Sequence, residues 1–217
     1  MKIGCLGYGS MTRALVPNWS SDHDVMIGGR NREKAEGVAA ELGVDVGSEP
    51  EVVAHTDVVM LATRHEVVFD AIDAAGGPEA FAGKVVLDIN NPVEVAGGSF
   101  VPKRYDGGSL SEAIAGRLPR ARVVKAFNMC QASVWEMDPP VFDGRRLVTM
   151  LCGDDEGAKG QIAALIESVG SEPLDIGGLE YAGCLEHAAA LVIRHLFSGR
   201  DLRTVLNLIM PESKPIA

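Results

Sequence analysis

Short apolar runs alternate with longer amphipathic segments along the first part of this chain. Near-continuous Val, Leu and Ile runs are typical of strands buried on both faces, and their alternation with helices predicts a parallel sheet. The predicted fold class is therefore α/β, with a doubly wound parallel sheet. The predicted strands are Lys2–Leu6, Asp24–Ile27, Asp57–Thr63, Lys84–Ile89 and Arg122–Phe127, and the predicted helices are Ser10–Trp19, Arg32–Leu42, Val67–Ala75 and Ser109–Arg117.

The pattern changes character after about residue 128. We therefore predict a sheet domain at residues 1–128 and a small, α/β-to-helical domain at residues 129–217. The predicted elements of this second part are the strands Leu147–Gly153 and Glu172–Gly177, the helix Asp154–Val169, and a helix-rich stretch at residues 179–209 with a break near Gly199.

The longest predicted connection runs from Asn90 to about Gly108. Glycine pairs at residues 97–98 and 107–108 punctuate it. Loops of this length are uncommon inside a compact domain and are usually functional or mobile. We therefore expect a long irregular loop in this part of the chain.

The composition is that of an ordinary globular protein. Of the 217 residues, 47% are hydrophobic and 23% are charged, and the formal net charge is −10. Nucleic-acid binding needs surplus basic surface, so this charge argues against a nucleic-acid partner. The apolar runs are far too short to span a membrane, and the N-terminus lacks the pattern of a signal peptide. We expect a cytoplasmic protein with no membrane partner.

The cysteines and histidines suggest neither disulfides nor a metal site. Three of the cysteines lie in apolar runs, which indicates buried, reduced thiols and a reducing compartment. His187 and His195 share one helical face but have no third ligand at a suitable spacing, so no metal is predicted. The cysteines, which form no CxxC pair, are Cys5, Cys130, Cys152 and Cys184.

The segment GYGSMT, Gly7–Thr12, follows the first predicted strand and opens the first predicted helix. It matches the dinucleotide fingerprint G-x-G-x-x-G except that Thr12 replaces the last glycine. Gly7 permits the tight turn, and Gly9 allows the backbone to approach a pyrophosphate at the helix N-terminus. A lone match is weak, but its place within a βαβ unit favours a Rossmann-like dinucleotide site in residues 1–128.

The second predicted strand ends at a glycine pair, where an NAD enzyme places an acidic residue for the ribose hydroxyls. Here Arg30, Arg32 and Lys34 follow Gly29 instead. Cations in the first turn of a helix oppose the macrodipole, so we expect an anion to offset their placement. The 2′-phosphate of NADP is such an anion, and Arg30 would grip it or stack on the adenine. The predicted cofactor is NADP(H).

Three further strand ends are expected to line the crevice, because ligands of such sheets lie outside the carboxyl ends of the strands. These ends are Thr63–His65, Asn90–Pro92 and Ala126–Asn128. Their carboxamides can hydrogen-bond a nicotinamide or a substrate edge, but an Asn-Asn-Pro run is equally consistent with a turn. His65 is a candidate proton donor, and a solvated histidine after a strand is an equally good interpretation.

The cofactor-binding prediction combines the glycine loop, the basic segment and these strand ends. Beyond the candidate His65, no catalytic residue is assigned. The predicted cofactor-binding residues are Gly7, Tyr8, Gly9, Ser10, Met11, Thr12, Gly29, Arg30, Asn31, Arg32, Lys34, Ala62, Thr63, Arg64, Asn90, Asn91, Pro92, Ala126, Phe127 and Asn128.

The chain resembles the coenzyme F420-dependent NADP oxidoreductases and the related cytoplasmic domain of the six-transmembrane metalloreductases. The matching segments run in order from the N-terminus to about Leu185, and KAFN, CGDD and PLDIG together are fairly specific to this group. These segments are GYGSMTRAL, IGGRNREKAE, VVLDINNPVE, ARVVKAFN, LCGDDEGAK and EPLDIGGLE.

This resemblance implies NADP held by Arg30 and Lys34, and hydride passed between the nicotinamide and a deazaflavin stacked beside it. It also implies a small C-terminal domain that supports a homodimer and the second-substrate site. Asn90–Pro92 and Ala126–Asn128 would then border the deazaflavin or flavin. One departure is Gly29, which stands where the family often has a serine that touches the 2′-phosphate.

Three functions fit the sequence. The first is hydride transfer between NADPH and coenzyme F420 or a similar acceptor, which can proceed by ring stacking without a protein acid. The second is NADPH-dependent reduction of a small imine, enone or carbonyl metabolite in a biosynthetic pathway, which needs a placed acid such as His65 or Tyr105. The third is a non-catalytic NADP sensor with a closed surface at the nicotinamide.

Overall fold

A computed structural model describes residues 1–106 and 108–196 of the chain. The strands are β1 Lys2–Leu6, β2 Asp24–Gly28, β3 Asp45–Gly47, β4 Val58–Leu61, β5 Val85–Asp88, β6 Val93–Ala96, β7 Ser99–Pro102, β8 Arg122–Lys125, β9 Val141–Phe142, β10 Arg145–Arg146, β11 Val148–Gly153 and β12 Glu172–Asp175. The α-helices are α1 Ser10–Trp19, α2 Arg32–Leu42, α3 Glu49–His55, α4 Val68–Ala74, α5 Gly77–Ala80, α6 Leu110–Arg117, α7 Ala132–Trp135, α8 Glu156–Ser168 and α9 Ala182–Leu196.

Eight strands form one sheet in the order β12-β11-β8-β5-β4-β1-β2-β3. The six strands from β8 to β3 are parallel, and their order is that of a doubly wound Rossmann sheet. β11 pairs antiparallel with β8, and β12 pairs parallel with β11. The predicted fold class is confirmed. Of the strands that follow residue 128, β11 and β12 extend the same sheet, whereas β9 and β10 pair with each other.

The parallel strands send alternate side chains into two cores, one on each face of the sheet. On β4, Val58 and Met60 enter the core that α1, α2 and α8 cover. Val59 and Leu61 enter the core that α3, α4 and α6 cover. This alternation follows from the two-residue period of a strand, and burial on both faces explains why the runs contain so few polar residues.

The predicted long loop after β5 is wrong, because this segment contains a β-hairpin. Its strands β6 and β7 pair antiparallel, with Ala96 opposite Ser99. Gly97 and Gly98 have φ angles of 58° and 74°, the left-handed conformations that a tight two-residue hairpin turn requires. The glycine pair between two alternating segments was therefore the signal of a hairpin.

β3 and α3, which lie between α2 and β4, were not predicted. β3 is three residues long, too short to show a hydrophobic period. α3 begins with a capping box, in which the Ser48 backbone N–H donates to Glu51 Oε2 at 2.8 Å. α6 also begins with a capping box, which Ser109 and Glu112 form.

The helix-rich stretch begins with a 3₁₀ turn at Leu179–Tyr181 and continues as α9, which packs against β7 and α6. The predicted break near Gly199, with the rest of that stretch, lies outside the described residues. Among the helices that the structure describes, none is long and apolar enough to cross a bilayer.

Candidate active site

The carboxyl ends of β1 and β4 meet where the strand order of the sheet reverses. Gly7 follows β1 there with a φ angle of 125°. Its N–H donates to the carbonyl oxygen of Gly28 at 2.8 Å. A Cβ atom on Gly7 would lie 2.3 Å from the carbonyl oxygen of Ala62. Only glycine fits at this crossing of loops, so the fold itself requires Gly7.

Gly9 is in the opposite situation. Its φ angle is −81°, which any residue adopts, and an added Cβ would meet no atom within 4 Å. Gly9 is the N-cap of α1, and the first turn of α1 carries no acidic residue. A helix N-terminus of this kind attracts anions through its free N–H groups and its macrodipole. The glycine keeps this anion-binding end open.

Thr12 accounts for the departure from the glycine fingerprint. Its side chain is fully buried, and Oγ1 donates a hydrogen bond to the carbonyl oxygen of Gly7 at 2.9 Å. In the fingerprint, the third glycine allows close packing of the helix on the strand. Here the Thr12 hydroxyl joins the first turn of α1 to the glycine loop. The loop is therefore held by a side-chain hydrogen bond that a glycine at this position could not make.

The cations of the basic segment have different surroundings. Arg32 Nε lies 2.8 Å from Glu36 Oε1, and Arg32 Nη1 lies 3.8 Å from Glu51 Oε2. Arg30 and Lys34 are exposed, and neither has a carboxylate partner among residues 1–106 and 108–196. The charge that remains available to an anion at the end of β2 is therefore that of Arg30, with Lys34 one turn further on.

Arg30 lines a cavity of about 230 Å³, which we call the glycine-loop cavity. A Cβ atom on Gly29 would lie 2.8 Å from Cε1 of Tyr8, so glycine at this position lets the tyrosine ring lie across the end of β2. Thr63 Oγ1 is buried and has no hydrogen-bond partner in the described part of the chain. With Arg30, the residues that line this cavity are Leu6, Gly7, Tyr8, Gly9, Gly29, Glu49, Ala62, Thr63, Arg64, Val67 and Ala71.

A second cavity, of about 510 Å³, lies where Ser10 and Met11 continue the glycine loop into α1. We call it the α9 cavity, because α9 supplies one wall. Of the described residues that line it, only Cys130 has a titratable side chain, and burial raises the pKa of that thiol. The remaining lining residues are Ile89, Asn91, Phe127, Asn128, Met129, Gln131, Ala132, Ser133, Ala189, Val192, Ile193 and Leu196.

Asn91 and Asn128 pair with each other at the wall of the α9 cavity. Asn91 Nδ2 donates to the backbone carbonyl of Asn128 at 2.7 Å. Asn128 Nδ2 donates to Asn91 Oδ1 at 3.0 Å and to the backbone carbonyl of Leu185 at 3.1 Å. Because carbonyl oxygens only accept, these contacts fix the orientation of both amides. Asn128 Oδ1 is then a buried acceptor without a partner among the described residues.

Phe127 turns the chain from the end of β8 into the wall of the α9 cavity. Its φ angle is 60°, in the left-handed region that residues other than glycine rarely adopt. Its ring packs edge-to-face on Trp19 and Trp135, at centroid distances of 6.0 and 5.1 Å. Strained backbone of this kind persists where the surroundings hold it, and it concentrates at functional sites. Ala126, the preceding residue, is fully buried in the core and lines neither cavity.

His65 lies outside the α9 cavity. Its Nε2 donates to the carbonyl oxygen of Val93 at 2.9 Å, which leaves Nδ1 to accept from the Tyr105 hydroxyl at 3.3 Å. Burial, with a smaller effect from nearby carboxylates, raises the pKa of Tyr105 to about 12, so the hydroxyl stays protonated at neutral pH. The two side chains thus join the loop after β4 to the hairpin. His65 also lines a separate cavity of about 490 Å³ beside Arg64.

Two other predicted residues make local contacts at the starts of elements. Asn31 is the N-cap of α2, and its Oδ1 accepts from the Lys34 backbone N–H at 2.9 Å. The carbonyl oxygen of Pro92 accepts from the Lys103 N–H at 2.9 Å, at the base of the hairpin. Neither residue lines the glycine-loop cavity or the α9 cavity.

A buried charged cluster beneath the strand ends was not predicted. Lys125 Nζ donates to Asp88 Oδ2 at 2.9 Å, to Glu186 Oε1 at 3.1 Å and to the Asn90 carbonyl at 2.6 Å. Asp88 also accepts from Ser111 Oγ at 2.6 Å and from the side-chain amide of Asn90 at 2.8 Å. Burial alone would raise the pKa of Asp88, but Lys125 and these hydrogen bonds outweigh it and hold that pKa below its usual range.

A phosphorylated dinucleotide fits the features around the glycine loop. The open space at Gly9 suits a pyrophosphate over α1, and Arg30 lies at the strand end where a 2′-phosphate would be read. The orphaned Thr63 Oγ1 offers a further polar contact at the wall. In the residues that the structure describes, no group of three or more His, Cys, Asp and Glu side chains could hold a metal ion.

Residues 2–92 match the family described as "NADP oxidoreductase coenzyme F420-dependent". The chain is similar to this family over that range. The metalloreductase STEAP3 of Rattus norvegicus is 31% identical over 182 residues, which cover 83% of this chain and 35% of that protein. The chain therefore spans about a third of the length of this relative.

Two solved structures extend the likeness beyond residue 92. A protein of Arthrobacter sp. FB24, provisionally named an F420-dependent NADP reductase, is 29% identical with a TM-score of 0.82, and the match covers 91% of this chain and 94% of that one. A hypothetical protein of Sinorhizobium meliloti is 28% identical with a TM-score of 0.72, covering 84% of this chain and 88% of that one. The shared fold therefore includes most of the chain.

Proposed function

We propose that the chain is an NADP(H)-dependent oxidoreductase that transfers hydride between NADPH and a deazaflavin, coenzyme F420, or a similar planar acceptor. The observation that carries this proposal is the chemistry of the α9 cavity. Its described walls combine apolar side chains with fixed carboxamides, and no carboxylate, histidine, lysine or tyrosine lines it. Such a site suits an exchange between two stacked rings, because the hydride passes directly between them and solvent can supply or take up the ring-nitrogen proton, so no protein acid is needed.

The cofactor end of the site is the glycine-loop cavity. The N-terminus of α1 would hold the pyrophosphate beside Gly9, and Arg30 would grip the 2′-phosphate with Lys34 behind it. Arg32 contributes less, because Glu36 and Glu51 already neutralise it. The Tyr8 ring, which lies across Gly29, occupies the place where the family often has a serine.

The reacting end of the site is the α9 cavity. The bound nicotinamide supplies or accepts the hydride there. Asn91 and Asn128 set the rim against which the rings would stack, and the unpaired Asn128 Oδ1 would accept an N–H from the nicotinamide amide or from the acceptor ring. The apolar α9 wall would exclude water from the face of the rings, which protects a hydride in transit.

The second hypothesis, reduction of a small imine, enone or carbonyl, needs a proton donor beside the hydride acceptor. Its sequence candidates His65 and Tyr105 are engaged with each other and with the hairpin, and they do not line the α9 cavity. The sensor hypothesis expects a closed surface at the nicotinamide, whereas the α9 cavity has about 510 Å³ of space. Both observations favour the deazaflavin.

The decisive experiment follows deazaflavin bleaching by absorbance after the purified chain is mixed with coenzyme F420 and either NADPH or NADH. We expect fast bleaching with NADPH and little with NADH. Tight NADPH binding without bleaching would contradict the proposed acceptor and favour a small-molecule reductase. Bleaching at equal rates with both cofactors would contradict the assignment of Arg30 to the 2′-phosphate.

We also propose that residues 129–217 serve the second substrate and a homodimer in the cytoplasm. Exposed apolar residues of this part include Leu174, Tyr181 and Leu191, which suits a surface that another subunit covers. Light scattering at micromolar concentration is expected to give the mass of two chains, and the mass of one chain would contradict the proposal.

A further inference from the structure

α9 is attached to the strand ends by two consecutive residues. The backbone carbonyl of Leu185 accepts from Asn128 Nδ2 at 3.1 Å. The carboxylate of Glu186 accepts from Lys125 Nζ at 3.1 Å, although only 3% of the Glu186 surface is exposed. Both contacts reach across more than fifty residues of sequence to the end of β8. They fix one point of α9 against the sheet.

Glu186 also binds the beginning of a neighbouring helix. Its Oε2 accepts from the backbone N–H of Leu110 at 3.0 Å, and its Oε1 accepts from the N–H of Ser111 at 3.3 Å. These are the first two residues of α6, where the macrodipole favours a negative charge. One carboxylate therefore joins three elements: α9, the end of β8 and the N-terminus of α6.

The residues that form the wall of the α9 cavity follow Glu186 on the same helix. Ala189, Ile193 and Leu196 come three, seven and ten residues later and line the cavity. At a rise of 1.5 Å per residue, Leu196 stands about 15 Å along the axis from Glu186, so a tilt of about 4° there moves the far wall by about 1 Å. Small changes at Glu186 are therefore amplified at the wall.

Stability alone does not account for a buried trio of Asp88, Lys125 and Glu186. Apolar residues of similar volume are often as stabilising as a buried ion pair, because charged groups are costly to remove from water. What charged groups add is a defined geometry, since each hydrogen bond must be made. In this cluster Lys125 uses all three of its donors, and one of them holds the carbonyl of Asn90, next to Asn91 at the cavity wall.

We infer that Glu186 is a positioning residue for the second-substrate site. Through Lys125 and the first turn of α6, its carboxylate sets the distance between the α9 wall and the Asn91–Asn128 pair. That distance is the width of the slot in which an acceptor ring would stack. The inference rests on the proposed function for the identity of the acceptor, but the attachment of α9 can be tested without it.

The test compares the full-length chain with its Glu186→Gln variant. Glutamine keeps the shape of glutamate but loses its charge. Its NH₂ group is a donor, and it would face another donor, either the Lys125 ammonium or the Leu110 N–H. We expect the KM for coenzyme F420 to rise at least about tenfold, while the Kd for NADPH, followed by nicotinamide fluorescence, stays within about twofold. Amide hydrogen exchange is expected to become faster in residues 182–196 and to stay unchanged in β1, β2 and β4.

Glu180→Gln is the matched control, because Glu180 is an exposed carboxylate just before α9. It is expected to leave KM, Kd and exchange at the wild-type values. If Glu186→Gln does not fold, Glu186→Asp decides, since it keeps the charge, shortens the reach and should give the same pattern with smaller changes.

The inference is overturned if α9 exchanges as in the wild type, or if KM, kcat and the Kd for NADPH all worsen together with stability. If the wild-type chain does not turn over coenzyme F420, the proposed acceptor is wrong, and the exchange pattern alone decides the role of Glu186. Faster exchange confined to residues 182–196 would then still support the positioning role.

Discussion

The two cavities beside the glycine loop are built in different ways. The glycine-loop cavity is lined mainly by the residues that follow β1, β2 and β4, and its charged side chains are those of Arg30, Arg64 and Glu49. The α9 cavity draws on segments near residues 10, 90, 130 and 190. Its described walls are apolar apart from carboxamides, two serine hydroxyls and one thiol. The first can recognise a charge, and the second can recognise the shape of a ring.

This difference teaches where specificity resides in such a protein. A charged contact at the surface can be added or removed with one side chain, so the choice of cofactor is a local property. The width of a slot depends on how distant elements are docked, here through Lys125 and Glu186. Cofactor preference and acceptor preference should therefore respond to different substitutions.

The largest expected effect separates the two glycines of the loop. In Gly7→Ala the new Cβ would collide with the carbonyl oxygen of Ala62 in a left-handed backbone, so we expect a loss of at least about 3 kcal/mol in the free energy of unfolding. Gly9→Ala should stay within about 1 kcal/mol of the wild type and lose NADPH affinity at least about tenfold. Urea unfolding and fluorescence titration measure both, and equal stabilities of the two variants would contradict the contrast.

The next effect isolates charge recognition in the glycine-loop cavity. Arg30→Ala is expected to weaken NADPH binding by about 1–3 kcal/mol, the size of a charge-assisted hydrogen bond, and to weaken NADH binding far less. Arg32→Ala is the matched control, because Glu36 and Glu51 already pair with Arg32. Isothermal titration with both cofactors measures the change. Equal losses for NADPH and NADH in Arg30→Ala would refute the assignment.

A smaller effect is expected at the wall of the α9 cavity. Asn91→Leu removes both hydrogen bonds to Asn128 and should cost about 1–2 kcal/mol of unfolding free energy. Because no charge changes, the ratio of NADPH to NADH affinity should remain within about twofold of the wild-type ratio. Thermal unfolding and cofactor titration provide the two values, and a changed ratio would show that the two ends of the site are not independent.

The smallest effect concerns the buried cluster and depends on pH. The pKa of Asp88 is lowered in the folded chain, so its contribution to stability is present above its unfolded pKa and is lost as the pH falls through its folded pKa. Ser111→Ala removes a hydrogen bond to Asp88, raises this folded pKa and should cost about 1 kcal/mol at neutral pH. We expect acid unfolding to begin at a higher pH.

Ser168→Ala provides the control for this titration, because Ser168 donates to a neutral carbonyl far from the cluster. Its unfolding curve against pH should keep the wild-type shape. If stability falls at the same acid pH in Ser111→Ala as in the wild type, Asp88 does not contribute to stability in the acid range.

Five of the six parallel strands could be predicted from the sequence, because burial on both faces leaves each of them as a run of apolar residues. The sixth, β3, is only three residues long and shows no such run. The helix Arg32–Leu42 was predicted with its observed bounds, since an Asn N-cap and a following glycine mark its ends. The tight turn at Gly7 could also be predicted, because the glycine motif Gly7–Thr12 lies within a few consecutive residues. The hairpin at residues 93–102 was missed, although its Gly-Gly turn is one of the stronger local signals.

The docking of α9 could not be predicted from the sequence. Asp88 and Lys125 do stand out as charged residues inside apolar strands, and that signal indicates a buried partner. The partner Glu186 is 61 residues from Lys125 and lies on a helix that reads as ordinary and amphipathic. Local patterns contain no information on such a pairing, so the wall that α9 contributes became visible only in three dimensions.

The aromatic contact around Phe127 gives the molecule a built-in optical reporter. The sequence has two tryptophans, Trp19 and Trp135, and both pack against the ring of Phe127, whose other surroundings include the α9 cavity. The tryptophan emission of the protein therefore comes from the neighbourhood of one residue at the reacting end of the site. Tryptophan fluorescence of the unlabelled chain can therefore report on binding in that cavity. Binding at Arg30 should change this fluorescence only if its effect extends to Phe127.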